Sequence, residues 1–214
     1  MEDVTVKMHK IRVIGIGPGS PDYLLPAAVK AIAAARVLVG GRRALAQYAG
    51  DACRTFPIGG DIPAVMSFIK QELESDDVGV LVSGDPGYYS LLDALRREFP
   101  RERIEVIPGL SAMQLAFCRL ALPWHEAKLL SFHGRKPARE ELRYQPGRVL
   151  GMLTDGKFNS HTITSLLMAE GWPKEALCSI LLRLSYPDEE ITHTTLAEAQ
   201  ELEEKSHGIL IVQG

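Results

Sequence analysis

The chain has few of the features that mark specialised protein classes. Its 214 residues include only three cysteines, Cys53, Cys118 and Cys178, and no two of them form a Cys-x-x-Cys pair. That spacing excludes a disulfide framework or a zinc finger and fits a reducing, cytoplasmic setting. No long apolar run is present. The most hydrophobic stretch, Ala31 to Val39, is interrupted by Arg36 and is too short to span a bilayer. The polar start, Met1 to Lys10, does not read as a signal peptide. There is no excess of basic charge: the net charge is −3, which argues against a general nucleic-acid binder. Low-complexity linkers and tandem repeats are missing. So is a phosphate loop, because Gly156-Lys157 is followed by Phe158 rather than Ser or Thr.

What is present is an ordinary globular composition, 46% hydrophobic and 24% charged, enough for one large domain or two small ones. Up to about Leu120, short β-branched runs alternate with helical segments. Ile11–Ile16, Val37–Val39, Val78–Ser83 and Ile104–Ile107 read as strands, and Leu24–Ala35, Tyr89–Phe99 and Ser111–Leu120 as helices. The nearly uninterrupted apolar character of Val78–Ser83 predicts a mostly parallel sheet covered on both faces. After Leu122-Pro123-Trp124 the pattern changes. Leu177–Leu184 and Glu190–His193 are joined by a segment of hairpin length, so the second sheet should contain antiparallel pairs. A helix is expected over Thr195–Lys205. The fold class is α/β with two domains, 1–123 and 124–214, the first sheet mostly parallel and the second mixed.

Three glycine turns follow strands of the first domain. Gly15-Ile-Gly-Pro-Gly19 matches a dinucleotide fingerprint poorly: Ser20 stands at the third glycine, and Gly40-Gly41 replaces the acidic residue wanted after strand two. Ser83-Gly-Asp-Pro-Gly-Tyr88 follows the most apolar strand, with Asp85 able to face a cationic ligand or serve simply as a turn residue. Pro108-Gly-Leu-Ser-Ala112 offers Ser111 as a helix N-cap. Each alone could be an ordinary βα connection. Three at the same side of one sheet suggest a ligand held by backbone groups. In the second domain, His133 and Arg135 beside Gly134 suit carboxylate recognition, since a guanidinium can donate two parallel hydrogen bonds. A solvated basic loop is the plain alternative.

Together with Leu153-Thr-Asp-Gly156, these turns resemble the tetrapyrrole methylase family over essentially the whole chain. Val39-Gly-Gly-Arg-Arg43, Ser131-Phe-His-Gly-Arg135 and Thr154-Asp-Gly-Lys157 are similar to the branch that methylates carbon 5 of cobalt-precorrin-7 in cobalamin biosynthesis. Members of that branch occur as separate proteins or as the N-terminal half of a precorrin-6Y C(5,15)-methyltransferase. The resemblance implies two α/β domains with S-adenosylmethionine in a cleft between them, and no metal. It carries cofactor positions onto Pro18, Ser83, Gly84, Asp85, Tyr88, Ser111 and Ala112, with Met152 and Leu184 from the second domain. Arg42, Arg43, His133 and Arg135 are then candidates for holding the carboxylates of a precorrin. A homodimer is implied, as is a carbon-15 methyltransferase/decarboxylase as partner or fused domain; nucleic acid and membrane are not implied as partners. The pattern departs from the sirohaem-forming branch at Gly41, where that branch has an acidic residue, so no catalytic acid or base is assigned. Whether the substrate contains cobalt stays open. Different-class alternatives are a same-fold methyltransferase acting on RNA or protein, and a non-catalytic tetrapyrrole-binding module.

Overall fold

The computed structural model describes residues 8–214. They form two compact units, dividing after Ser111.

The first unit is built on a five-stranded sheet of β1 (Ile11–Gly15), β2 (Val37–Gly40), β3 (Arg54–Pro57), β4 (Val78–Val82) and β5 (Ile104–Ile107), in the order β3-β2-β4-β1-β5. Every pairing is parallel. Side chains alternate between two covered faces, which explains why β2 and β4 are apolar throughout, whereas the edge strands β3 and β5 carry exposed Arg54, Thr55 and Glu105. Ile11, Val13, Val37, Val39, Val78 and Val80 face one core with Val65, Met66 and Ile69 of helix α3 (Ile62–Glu72). Ile14, Leu38 and Leu81 face the other, with Ala28 and Ile32 of α1 (Pro26–Ala33) and Leu45 of α2 (Arg42–Tyr48). Helix α4 (Leu92–Glu98) adds Leu95 to the first of these cores. Asp61 caps α3 by accepting from the backbone N–H of Ala64 at 3.0 Å, as its position before Pro63 suggests.

The second unit opens with α5 (Ala112–Arg119), a helix that the sequence reading places before Pro123. Its sheet contains β6 (Lys128–Ser131), β7 (Val149–Leu153), β8 (Leu177–Leu182), β9 (Glu190–Thr195) and β10 (Ile209–Gln213), in the order β6-β7-β10-β8-β9. Only β6 and β7 are parallel; the other three pairings are antiparallel. One face packs Leu130, Leu150, Met152, Ile180 and Leu210 against Ile163 and Leu167 of α7 (Ser160–Ala169), with Trp172 donating its indole N–H to the Leu142 carbonyl at 2.7 Å. α5 lies over β7 and β10. Gly151 makes room for it: a Cβ there would stand 2.7 Å from Met113 Sδ and 3.0 Å from Phe117 Cε2. The short helix α6 (Arg139–Leu142) interrupts the polar segment between β6 and β7.

The helix expected over Thr195–Lys205 is not formed. Thr195 ends β9, and a single 3-10 turn spans Glu198–Gln200. The local sequence favours helix, but tertiary bonds compete for it. The Gln200 side chain is anchored to the His161 carbonyl at 3.0 Å and to Ser165 Oγ at 3.1 Å, both on α7. Glu198, Glu201 and Glu204 would also stack like charges at helical spacing.

Candidate functional site

β4, β1 and β5 are neighbours in the first sheet, and parallel registry brings their carboxyl ends level: Gly15 lies opposite Val82, and Ile14 opposite Ile107. The three glycine turns therefore emerge side by side. They do more than lie close. Beyond the sheet, Gly84 donates its N–H to the Gly17 carbonyl at 2.8 Å, and Gly17 donates to Gly84 at 3.4 Å, so the first turn folds back over the second. Gly84 has φ +70°, a left-handed conformation that any Cβ would strain. A Cβ on Gly15 would stand 2.7 Å from the Gly84 carbonyl oxygen, and one on Gly109 only 2.2 Å from the same atom. The three backbones touch because none of these residues carries a side chain.

Asp85 fastens the arrangement. Its Oδ1 accepts from the N–H of Gly87 at 2.7 Å and its Oδ2 from the N–H of Gly109 at 3.1 Å, tying the second turn to the third. The carboxylate that the sequence offered to a cationic ligand is thus engaged by the turns themselves. Tyr88, in the same turn, has its hydroxyl buried without a hydrogen-bond partner among the described residues. Burial, followed by the neighbouring Tyr89 phenol, pushes the Tyr88 pKa well above its ordinary range, so the hydroxyl is held protonated. A buried, unsatisfied hydroxyl carries a cost that a polar ligand atom can remove.

Gly17, Gly19 and Ser83 from the first two turns line a cavity of about 270 Å³ with Arg42, Arg43 and Gln47 of α2. The structure therefore brings the two arginines singled out in the sequence to the glycine turns. This volume suits one arm of a ligand rather than a whole one. A larger groove, about 1000 Å³ and lined by Met8, Leu73 and Phe99 among others, lies at the amino ends of the strands. None of the three glycine turns contributes to its lining. Nearby, Arg12 pairs with Asp77 and Glu105, both at 3.0 Å, an arrangement that ties strand ends together.

The second unit presents its basic loop at the carboxyl ends of β6 and β7. Ser131 Oγ accepts from the His133 N–H at 3.2 Å, and Gly134 takes φ +68°. Asp155 holds the two loops together: it accepts from the N–H groups of Phe158 at 2.7 Å, Gly134 at 2.9 Å and Lys157 at 2.9 Å. The Phe158 and Gly134 bonds hold its carboxyl below the ordinary aspartate value. His133 and Arg135 are exposed on this loop. Asp155 falls in the Thr154-Asp-Gly-Lys157 motif but is not among the candidate site residues read from the sequence; its part as a loop tie is visible only in the structure.

Ser111 is buried just before α5, and Ala112 is the first residue of that helix. Pro18 is half-buried in the first turn. Met152 lies mid-strand in β7 with its side chain wholly buried in the second core, and Leu184 is buried just after β8. Among the described residues, no group of three or more His, Cys, Asp or Glu is placed to hold a metal ion, and no helix is long and apolar enough to cross a membrane.

Residues 10–200 match the family model of the tetrapyrrole (corrin/porphyrin) methylases. The chain belongs to that family. Among curated proteins, this methylase is 35% identical over 161 residues to the cobalt-precorrin-7 C(5)-methyltransferase of Salmonella typhimurium, covering 75% of this chain and 79% of that protein. It is 31% identical over 135 residues to a probable cobalt-precorrin-7 C(5)-methyltransferase of Methanocaldococcus jannaschii, covering 62% and 64% respectively. Among solved structures, the precorrin-6Y methylase of Archaeoglobus fulgidus superposes with a TM-score of 0.72 at 26% identity, over 96% of this chain and 97% of that one. The α/β fold with one parallel and one mixed sheet is that of its structural neighbours in the family.

Proposed function

We propose that this methylase transfers a methyl group from S-adenosylmethionine to carbon 5 of a precorrin in cobalamin biosynthesis. The single observation that carries the cofactor half of this reading is the contact of three backbones at Gly15, Gly84 and Gly109, the second of whose turns also carries the unsatisfied Tyr88 hydroxyl. The turns stand at the carboxyl ends of parallel strands, where open α/β sheets bind their ligands, and Tyr88 adds one buried O–H with no partner among the described residues. The substrate half rests on the family relationship and on the resemblance of Val39–Arg43, Ser131–Arg135 and Thr154–Lys157 to the carbon-5 branch.

When bound, S-adenosylmethionine supplies a methyl on a sulfonium, which passes to a nucleophilic carbon as S-adenosylhomocysteine departs. The chain's contribution is positional. The Asp85 ties fix the second and third turns relative to one another, and a fixed geometry can supply much of the rate for such a transfer. Arg42 and Arg43, exposed at the cavity rim, and His133 and Arg135 on the second unit are the groups assigned to substrate carboxylates. Homodimerisation, and cooperation with a carbon-15 methyltransferase/decarboxylase, carry over from the resemblance.

The test is a substrate panel with the purified chain: cobalt-containing and metal-free carbon-5 acceptors, an RNA transcript and a protein extract, each with labelled S-adenosylmethionine. Label should enter a precorrin alone. Label in RNA or protein would establish the same-fold alternative, and binding of a tetrapyrrole without transfer would establish the binding module.

A further inference from the structure

The second glycine turn leads into a strained residue. After Tyr88 the chain passes through Tyr89, Ser90 and Leu91 into α4, and Tyr89 takes φ +50°. Among the described residues of the first unit, no other non-glycine residue has a positive φ. Glycine or asparagine would hold this left-handed conformation with little strain, whereas a bulky aromatic residue there is an outlier. Hydrogen bonds fix the conformation from both sides. Before it, Tyr88 donates its N–H to the Asp85 carbonyl at 3.1 Å. After it, Ser90 Oγ donates to the Pro86 carbonyl and accepts from the Leu92 N–H at 3.1 Å. Asp85 is itself tied to Gly109, so the strained residue hangs from the same anchor as the three-backbone contact. The fold gains little packing in return: Tyr89 is 41% exposed and belongs to neither of the first-unit cores described above. Its ring is nevertheless braced, at 69° to the Tyr88 ring with centroids 4.8 Å apart. Strain of this kind, held by the surrounding bonds, clusters at ligand clamps.

We infer that Tyr89 is a ligand-binding residue whose ring stacks on a flat conjugated ring of a ligand bound at the glycine turns. This rests on the proposed methyl transfer, which brings two such rings to the site: the purine of the methyl donor and the conjugated part of the macrocycle that receives the methyl. Either offers the π-face that an offset-stacked tyrosine requires. Because the backbone is fixed and Tyr88 braces the ring, little conformational freedom is lost when a ligand covers it.

Binding is to be measured for the wild type, Tyr89→Phe, Tyr89→Leu and Tyr89→Asn, each checked for native circular dichroism. The probes are S-adenosylhomocysteine, which carries the purine, and hydrogenobyrinic acid, a metal-free corrin. Phenylalanine keeps the ring, leucine keeps apolar bulk without a π-face, and asparagine relieves the left-handed backbone. Tyr89→Leu and Tyr89→Asn should each weaken one probe about fivefold to tenfold, while Tyr89→Phe stays within about twofold of wild type. Loss for S-adenosylhomocysteine assigns the ring to the purine; loss for the corrin assigns it to the macrocycle. In wild type with labelled tyrosine, the Tyr89 ring protons should show nuclear Overhauser contacts to that same probe. Unchanged binding of both probes in folded Tyr89→Leu and Tyr89→Asn overturns the inference, as does an equal loss in Tyr89→Phe, which would place the effect in the hydroxyl. Equal loss of both probes, or failure of both variants to fold, leaves the decision to the wild-type contacts: their absence from either bound probe overturns it. If the wild type methylates a precorrin while the variants bind both probes normally, the stacking alone is refuted. A wild type that binds neither probe and transfers no methyl refutes the functional reading and the stacking together.

Discussion

Replacing Gly109 by alanine should disable the proposed cofactor cradle through a single methyl group. The new Cβ would lie 2.2 Å from the Gly84 carbonyl oxygen and 2.9 Å from the carbonyl carbon of Gly15. A carbon and a carbonyl oxygen normally approach no closer than about 3.3 Å, so the third turn must move by about 1 Å. Neither obstacle is a flexible side chain: Gly15 ends β1 within the parallel sheet, and Gly84 is bridged to Gly17. The shift would also pull the Gly109 N–H from Asp85 Oδ2, now 3.1 Å away. Overpacking costs about 1–3 kcal/mol and the lost charge-assisted bond about 1–2 kcal/mol. The sum lowers Tm on the order of 10 °C in a chain of this size. A misplacement of about 1 Å can reduce turnover about a hundredfold, so kcat/KM should fall by that order even where the variant is fully folded. Thermal melts and calorimetric titration with S-adenosylmethionine provide the assay. Gly60→Ala is the control, because a Cβ there meets nothing within 4 Å, and it should stay within about 0.5 kcal/mol of wild type. A Gly109→Ala protein with unchanged Tm and unchanged cofactor affinity would show that the three backbones do not need to touch.

Two further outcomes follow from the carboxylates that organise the turns. Asp85→Asn retains one acceptor oxygen for two N–H groups, so it should lose about 1–2 kcal/mol of stability and weaken cofactor binding. If instead cofactor binding weakens at unchanged Tm, Asp85 contacts the ligand directly. Asp155 is held below the ordinary aspartate value, so its contribution is complete at neutral pH and is lost as pH falls through that lowered value. The amide resonances of Phe158, Gly134 and Lys157 should shift together in an acid titration, with a midpoint below that of a free aspartate; a midpoint at or above it contradicts the assigned bonds.

Much of this protein was determined locally. The apolar runs at Ile11, Val37 and Val78 specify strands buried on both faces, and a parallel sheet follows, because only covered sheets leave no polar alternation. Glycines after strands mark where backbones approach, so the position of the cradle was legible from Gly15, Gly84 and Gly109. The short link between Leu182 and Glu190 determined the antiparallel pair. Other features depended on partners far away in sequence. Asp85 could be read as a ligand group or a turn residue, and only its bond to Gly109 decides between them. The sequence from Thr195 to Lys205 has the composition of a helix, yet Gln200 bonds to α7 and the segment makes one short turn. Antiparallel pairing likewise sets His207 beside Gly156, while Lys205 reaches Glu190. Local propensity specifies which residues can be strand, turn or helix. Which hydrogen-bonding groups are already satisfied, and which are left for a ligand, is settled only when distant segments meet.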